Sequence, residues 1–423
     1  MEQTIEEEDD DWTFATADTQ YMTHGLHPYP ARMIPQVARK LLNMFTTDDK
    51  EDICIDPYCG SGTVLVESKL KGIKSIGIDI NPLAILIAKV KTTPIETRVL
   101  SSYARELLTQ IHSDIESGII VESPKIKNLD FWFKPQVIRI LSIIRRRIFD
   151  LETKNKDVFD FFRVCFSLTV RKSSNIRNGE YKLYRYSKDE LERYNPDVFK
   201  IFKEIVQNNI AKMRSFVEVV DKAVPTYIYK GDTRQLLSID PNVIHEGCAT
   251  ILITSPPYGD AHTTVAYGQF SRYSALWLGF DEKEVLEIDD LSLGGRVINK
   301  EKDLESPTLN LILNEIRKRD ESRAKEVYAF FYDVDLCMEQ ISKVMKQNKS
   351  HIAFVVGNRT VRRVKIPCDE ILIELGKKYG LKHIATKHRD IPTKTIPWVN
   401  APENVPMLKG ETMHKENIII WEF

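Results

Sequence analysis

The chain has 423 residues, 42% hydrophobic and 29% charged, the composition of a soluble globular protein on the order of two or three domains rather than of a fibrous, disordered or membrane-spanning one. Its formal net charge of −1 excludes a globally basic surface, but residues 1–11 hold Glu2, Glu6, Glu7, Glu8, Asp9, Asp10 and Asp11 with no base, which leaves +6 for the remainder. There is no run of about 18 apolar residues and the acidic start is the opposite of a signal peptide, so a cytoplasmic location without membrane contact is expected. The cysteines 54, 59, 165, 248, 337 and 368 form no C-x-x-C pair, so free thiols and no metal site are expected.

Residues 1–20 read as a solvated acidic tail. The stretch 21–95 opens the folded chain with His24-Gly-Leu-His-Pro-Tyr-Pro-Ala-Arg-Met-Ile-Pro35, held extended or turning by its prolines. Apolar residues at 37, 38, 41, 42 and 45 then keep a helical period. His24 and His27 lack companions for a metal, and the pattern leaves them either as surface histidines of a rigid lead-in or as neighbours of a site.

Asp52-Ile-Cys-Ile-Asp56 reads as a short strand, Pro57-Tyr-Cys-Gly-Ser-Gly-Thr63 as a small-residue loop, and Val64 to Leu70 as a helix. Strand, glycine loop and helix form the first unit of a dinucleotide-type fold, where glycines admit close ligand approach and the helix start offers free N–H groups. It is neither G-x-G-x-x-G nor a phosphate-binding P-loop. The next strand, Ser75 to Asp79, ends in an acid 23 residues after Asp56, placed to accept the hydroxyls of a ribose or, more blandly, to cap the helix that follows.

Residues 96–225 interrupt the alternation with mainly helical patterning. Segment 131–225 carries 20 Lys/Arg against 12 Asp/Glu and fifteen aromatics. Within it, Val170 to Tyr186 interleaves Arg171, Lys172, Asn175, Arg177, Lys182 and Arg185 with tyrosines around a turn at Asn178-Gly179, residue types that neutralise phosphates, read base edges and stack. It is the candidate DNA-contacting and target-recognition region; the plainer alternative is a helical insert with a solvated basic face.

Residues 226–423 resume the sheet, with a charged helical excursion over 281–330. Thr226 to Asp232 is a strand ending in Gly-Asp. Ile251-Leu-Ile-Thr-Ser-Pro-Pro-Tyr-Gly-Asp260 is a buried strand stopped by two prolines, which lack N–H groups and cannot extend a ladder. Such a stop presents Ser255 and the Tyr258 ring on a stiff turn at the ligand-binding edge of a parallel sheet. The Ser255 hydroxyl and Pro256 carbonyl can accept hydrogen bonds from an exocyclic amine while the ring stacks on a planar group. Phe270, Tyr273, Trp277 and Leu278 at helical spacing read as core. A helix over 332–344, a strand at 352–357, a helix over 368–379, a strand at 381–385, a polar Pro-rich loop and a last strand at 416–421 complete the chain.

Together these pieces resemble the amino DNA methyltransferases, which move a methyl group from S-adenosyl-L-methionine to an exocyclic nitrogen. Asp56-Pro-Tyr-Cys-Gly-Ser-Gly-Thr63 is similar to their Asp-Pro-Phe-x-Gly-Ser-Gly-Thr cofactor motif, with Tyr58 in place of Phe. Ser255-Pro256-Pro257-Tyr258 is similar to the catalytic motif of the cytosine-N4 branch, Asp or Asn at its first position being typical of adenine-N6 enzymes. The resemblance covers about 200 of 423 residues, in the pieces 24–95, 226–280 and 330–423. It implies a Rossmann-like α/β fold with a mixed seven-stranded sheet ending in an antiparallel hairpin, plus the helical insert. It also implies cofactor contacts from Tyr29, Asp56, Tyr58, Gly60, Ser61, Gly62, Thr63, Asp79, Ile80, Asn81 and Asp232, with Asp79 on the ribose and Asp232 on the adenine amine. The partners implied are double-stranded DNA and a restriction endonuclease. One departure matters: the basic insert lies between the second and third cofactor elements rather than after the third. Asp260 is a further candidate, as acceptor of the proton lost by the amine.

Overall fold

The structure is a computed structural model, and the residues it describes are 11–47, 51–177, 181–260, 262–298, 300–391, 399–400, 410–411 and 415–423. Nearly all of the acidic run, the Asn178-Gly179 turn and most of the Pro-rich loop before the last strand lie outside them.

Helix α1 (Pro35–Phe45) leads into β1 (Ile53–Asp56), α2 (Thr63–Leu70), β2 (Lys74–Asp79) and α3 (Pro82–Thr92). The long helices α4 (Thr97–Glu116), α5 (Pro135–Phe149), α6 (Lys156–Ser173) and α7 (Val198–Val217) follow, and the sheet then resumes at β3 (Thr226–Lys230) and β4 (Ile251–Thr254). Helices α8 (Tyr267–Trp277), α9 (Glu282–Leu291), α10 (Pro307–Arg317) and α11 (Glu321–Val344) lead to β5 (His351–Val356), α12 (Cys368–Lys378), β6 (Lys382–Asp390) and β7 (Lys415–Glu422).

The seven strands form one sheet in the order β3-β2-β1-β4-β5-β7-β6. Neighbours from β3 through β5 pair in parallel, and β7 runs antiparallel to both β5 and β6. This is the expected Rossmann-like sheet with its terminal antiparallel pair. The chain winds outward from β1 to β3 and then returns to β4, so the order reverses between β1 and β4. Ligand crevices open at the carboxyl ends of strands where that reversal occurs.

Alternate residues of each strand face opposite layers, as the two-residue period of a strand requires. Cys54, Ile251, Ile253, Ala353, Val355, Ile418 and Ile420 pack with α1 through Val37, Leu41, Leu42 and Phe45. Their neighbours Ile55, Leu252, Ile352, Phe354, Val356, Ile419 and Trp421 pack with α10, α11 and α12 through Leu313, Phe331, Met338, Ile371 and Leu375. Burial on both faces explains why β1, β4 and β5 read as continuous apolar runs.

The basic insert does not build a separate core. Phe133, Leu141, Phe161, Phe166 and Phe202 of its helices share one cluster with Leu83, Ile87 and Val90 of α3 and with Tyr273 and Trp277 of α8. Trp277, fully buried, meets Phe133 and Phe166 edge to face at 5.8 and 6.2 Å, a favoured aromatic geometry. The helix after the Ser-Pro-Pro-Tyr turn is thereby fixed against the insert.

Two element boundaries differ from the sequence reading. The helix expected over 332–344 is the second half of α11, which starts at Glu321 because Asp320 accepts the Arg323 N–H at 3.1 Å as its cap. The charged stretch conceals Ala324, Val327 and Tyr328, an i, i+3, i+4 stripe that is fully buried. The strand expected at 381–385 continues to Asp390 because β7 pairs with it over that length. As an edge strand with mostly exposed side chains it shows no alternation to read. All six cysteines are free and buried. No helix among the described residues is long and apolar enough to cross a membrane.

Candidate active site

The tips of β1 and β4 touch. Thr254, the last residue of β4, donates its hydroxyl to Asp56 Oδ1 at the end of β1 over 2.6 Å, and the Tyr58 N–H reaches the same oxygen at 3.2 Å. Burial pushes the Asp56 carboxyl up to about 7, with the nearby charge of Asp79 adding to the effect and the two hydrogen bonds opposing it. After Asp56 the loop turns through Gly60 and Gly62 at φ of +49° and +84°, conformations natural to glycine. A Cβ on Gly62 would meet Ala88 Cβ of α3 at 3.0 Å.

Asp79, ending β2, accepts the Gly60 N–H at 2.9 Å and the Asn81 N–H at 2.8 Å. It therefore braces the glycine loop and caps the next turn while also lining the cavity; burial raises its carboxyl to about 6. Asn81 caps α3 through the Leu83 N–H at 3.0 Å and ties Tyr29 Oη and Ser271 Oγ together at 3.1 and 3.0 Å. Asp232, just beyond β3, is gripped by the Arg234 guanidinium, with Nη2 at 2.6 Å from Oδ2.

These elements line one cavity at the carboxyl edge of the sheet, where ligands of such folds bind. Asp56, Tyr58, Gly60, Ser61, Thr63, Asp79, Ile80, Asn81 and Asp232 line it, together with Tyr29 and Arg32 of the Pro-rich lead and Ser255 and Pro257 of the Pro-Pro turn. The expected cofactor motifs and Ser255, expected to be catalytic, thus open into one space. Among the expected residues, Gly62 stands behind the loop against α3, Pro256 is buried, and Tyr258 turns its hydroxyl to Glu416 Oε1 at 2.7 Å. Tyr267 of α8, 6.0 Å from the Tyr29 ring and stacked on it, and Leu291 to Leu293 complete the wall.

The ends of the cavity differ in charge. Asp56, Asp79 and Asp232 gather at the strand tips. At the other side Arg32 donates to the backbone carbonyls of His24 and Thr19 at 2.6 and 3.2 Å and makes no ion pair among the described residues. Fully buried Lys91 donates to Ser61 Oγ at 3.2 Å, again without an ion pair among those residues. Desolvation holds the Lys91 ammonium well below its usual pKa, helped by the neighbouring cations. A buried ammonium without an acid is costly, and an anionic group of a ligand beside it would offset that cost.

Several sequence expectations need correction. His24 and His27 are not surface residues: both are buried, with His24 Nε2 2.7 Å from Glu67, and desolvation lowers them to about 4 and about 3. Asp260 does not fit a proton acceptor. It is buried, pairs with Arg359 at 3.1 Å and accepts both the N–H and the hydroxyl of Thr263; these partners hold its carboxyl below the usual range against the opposing effect of burial. Among the described residues no group of three or more His, Cys, Asp or Glu is arranged to hold a metal.

The candidate DNA contacts divide. Arg171 is buried with its guanidinium 4.0 Å over the Phe270 ring, and buried Asn175 donates to the Phe131 carbonyl at 3.1 Å, so neither side chain is offered to a duplex. Lys172 and Arg177 are exposed, the latter 3.6 Å from Glu190. Arg185 lies 4.2 Å over the Phe131 ring. Lys182 Nζ lies 3.5 Å from the His262 carbonyl and the Leu183 N–H 3.3 Å from Gln269, so this part of the insert rests on the loop and helix that follow the catalytic motif. Half-exposed Tyr181 stands edge-on to Phe270 at 6.2 Å.

Sequence reasoning missed Arg32 as a lone cation, Tyr267 as a wall, and above all Glu416 and Arg389. Arg389 Nη1 pairs with Glu416 Oε2, their side chains 6% and 12% exposed. The Arg32 signal lay within the His27 to Arg32 stretch already singled out. Glu416 carried none, being 158 residues from Tyr258.

The family model described as DNA methylase matches residues 2–90. Over 96% of this chain and 92% of the relative, the sequence is 39% identical to the type II methyltransferase M.MvaI of Kocuria varians. It is 24% identical to the type II methyltransferase M.BsoBI of Geobacillus stearothermophilus, over 87% of this chain and 80% of the relative. A tRNA (guanine(10)-N2)-dimethyltransferase of Methanocaldococcus jannaschii is 29% identical over 23% of this chain and 29% of its own length.

Proposed function

The chain belongs to the type II DNA methyltransferases, which use S-adenosyl-L-methionine, and on that premise we propose that it methylates the exocyclic N4 of cytosine in duplex DNA. The observation that carries the proposal is the single cavity lined by both Ser255 and the cofactor motifs. The serine form of the motif favours cytosine-N4 over adenine-N6. A tRNA guanine-N2 activity is less favoured because the resemblance to such an enzyme spans only 110 residues. The expected biological setting is a restriction-modification pair with an endonuclease of the same specificity. Mass spectrometry of nucleosides from duplex DNA incubated with the protein and cofactor tests the reading: N4-methylcytosine is expected, and N6-methyladenine or methylated tRNA alone would overturn it.

When bound, S-adenosyl-L-methionine supplies an electrophilic methyl group. The residues present suit it: the glycine loop would admit close approach, Asp79 would accept from the ribose hydroxyls and Asp232 from the adenine amine, Ile80 would pack on the base, and Tyr29 and Arg32 would hold the amino-acid end. Arg32→Gln is expected to weaken binding of S-adenosylhomocysteine about 10–100-fold, the loss of one charge-assisted hydrogen bond. Binding of 5′-methylthioadenosine, which lacks the carboxylate, should barely change. Calorimetry with both ligands checks this; equal losses for the two would remove Arg32 from that role.

A cytosine in a duplex must be turned out of the stack at a cost of a few kcal/mol. Stacking on the Tyr258 ring offsets about 1–3 kcal/mol of it. The Ser255 hydroxyl and Pro256 carbonyl would then hold the amine for direct in-line transfer, the proton that the amine loses passing to solvent. No covalent enzyme intermediate is involved; Cys59 is buried and desolvation keeps its thiol well above the usual pKa. Lys172, Arg177, Lys182 and Arg185 serve as duplex contacts on the side of the cleft where the insert meets the catalytic loop. Replacing Arg177 and Lys182 together by Ala is expected to weaken duplex binding at all sequences and to flatten the slope of log affinity against log salt by about 2. An unchanged slope in filter binding would place the duplex elsewhere.

A further inference from the structure

Behind Ser255 runs a hydrogen-bond chain that ends on a buried ion pair. Ser255 Oγ lies 3.0 Å from the Val355 carbonyl and 3.3 Å from Tyr258 Oη. Tyr258 Oη lies 2.7 Å from Glu416 Oε1, and the other oxygen of Glu416 is bound by Arg389. The direction of each bond follows from chemistry. A carboxylate beside a guanidinium has no proton to give, so Tyr258 must donate to Glu416. The Tyr258 oxygen can then only accept on the Ser255 side, and the Val355 carbonyl only accepts. Ser255 is thus flanked by two acceptors, its one proton is taken inward, and its remaining lone pairs face the cavity.

We infer that Glu416, held by Arg389, is a positioning residue that sets the hydrogen-bond polarity of the catalytic motif and makes Ser255 Oγ a dedicated acceptor for the target amine. The inference rests on the methyltransferase reading above. An exocyclic amine attacks through a lone pair that is conjugated with its ring, and acceptors on its N–H groups are what turn that lone pair toward the methyl. A hydroxyl that donated to the nitrogen would occupy the lone pair instead. Aspartate at position 255 could only accept, whereas serine can do either, so the serine form of the motif needs its polarity imposed from outside.

Glu416→Gln tests this because it keeps the shape and reverses the polarity. Arg389 has only donors, so it takes the amide oxygen and turns the amide N–H₂ to Tyr258. Tyr258 then accepts from Gln and swings its own proton onto Ser255 Oγ. Single-turnover methyl transfer to duplex DNA is expected to fall about 100-fold, the scale seen when one preorganised hydrogen bond is lost. Affinities for S-adenosylhomocysteine and for the duplex should stay at wild-type values. Tyr258→Phe, which deletes the link and leaves Ser255 donating to Val355, should lose less than Glu416→Gln does. In a Ser255→Asp background, where the acceptor needs no help, Glu416→Gln should cost little. Wild-type rate in Glu416→Gln, a greater loss in Tyr258→Phe, an inactive Ser255→Asp, or the same loss in both backgrounds would each overturn the inference. Wild-type protein run alongside separates this from failure of the parent reading, which would show as no transfer to DNA by any form.

Discussion

Ser255→Ala is expected to bind S-adenosylhomocysteine as the wild type does and to methylate duplex DNA about 10²–10³-fold more slowly. Ser255 lines the cavity, and among the described residues its hydroxyl contacts only the Val355 carbonyl and Tyr258 Oη. Neither partner belongs to the cofactor elements, which is why affinity for the cofactor should survive. On the proposed function, truncation would remove the acceptor that turns the amine's lone pair, an interaction realised in the transition state more than in the ground state, so the loss is expected in kcat rather than KM. Tyr258→Ala should differ in kind, raising KM for DNA as well, because the stacking face for the extruded base goes with it. Tritiated methyl transfer with saturating cofactor checks both; a Ser255→Ala protein at wild-type rate would place the chemistry elsewhere in the cavity.

What could be read from the chain follows the range of the forces involved. The glycine loop, the acids at the tips of β1 and β2 and the Pro-Pro stop after β4 are each specified within about ten residues by local backbone chemistry, and the sheet order then brings them to one edge. Partners chosen in three dimensions left no such trace. Arg171 and Lys172 are adjacent and alike in sequence, yet one lies over the Phe270 ring in the interior and the other faces solvent. A cation destined for an aromatic face looks in sequence like one destined for a phosphate. The sequence leaves His24 and His27 open between surface and site because histidine is intermediate in burial, and the meeting of α2, α3 and α7 with the Pro-rich lead encloses them. The Tyr258–Glu416 bond spans 158 residues of the chain. It exists because β7 inserts beside β5, bringing the end of the chain next to the strand whose Val355 carbonyl accepts from Ser255.

Asp56→Asn is expected to make the ligand-free protein more stable at pH 8 while weakening its hold on the cofactor. The native carboxyl is raised from 3.8 to about 7, chiefly by burial. An acid that binds its proton more tightly in the folded state than in the unfolded chain contributes stability that is lost as pH rises between those two values, so its full cost is present above about 7. Both hydrogen bonds to Asp56 converge on Oδ1. Asparagine can therefore keep the Thr254 and Tyr58 contacts with its carbonyl and place an uncharged amide where Oδ2 stood. The gain at pH 8 should be about 1–3 kcal/mol, an order-of-magnitude figure from one to two pKa units of relieved desolvation, and it should shrink as pH falls toward 5. Urea unfolding at the two pH values measures it, and a difference that does not vary with pH would mean that Asp56 titrates as a solvated acid. The opposite sign for ligand binding follows from the same burial. A carboxylate buried at a cost to the ligand-free protein would be stabilised when a ligand donates to it or brings a positive charge beside it, so the residue that weakens the ligand-free fold is the one expected to strengthen cofactor binding.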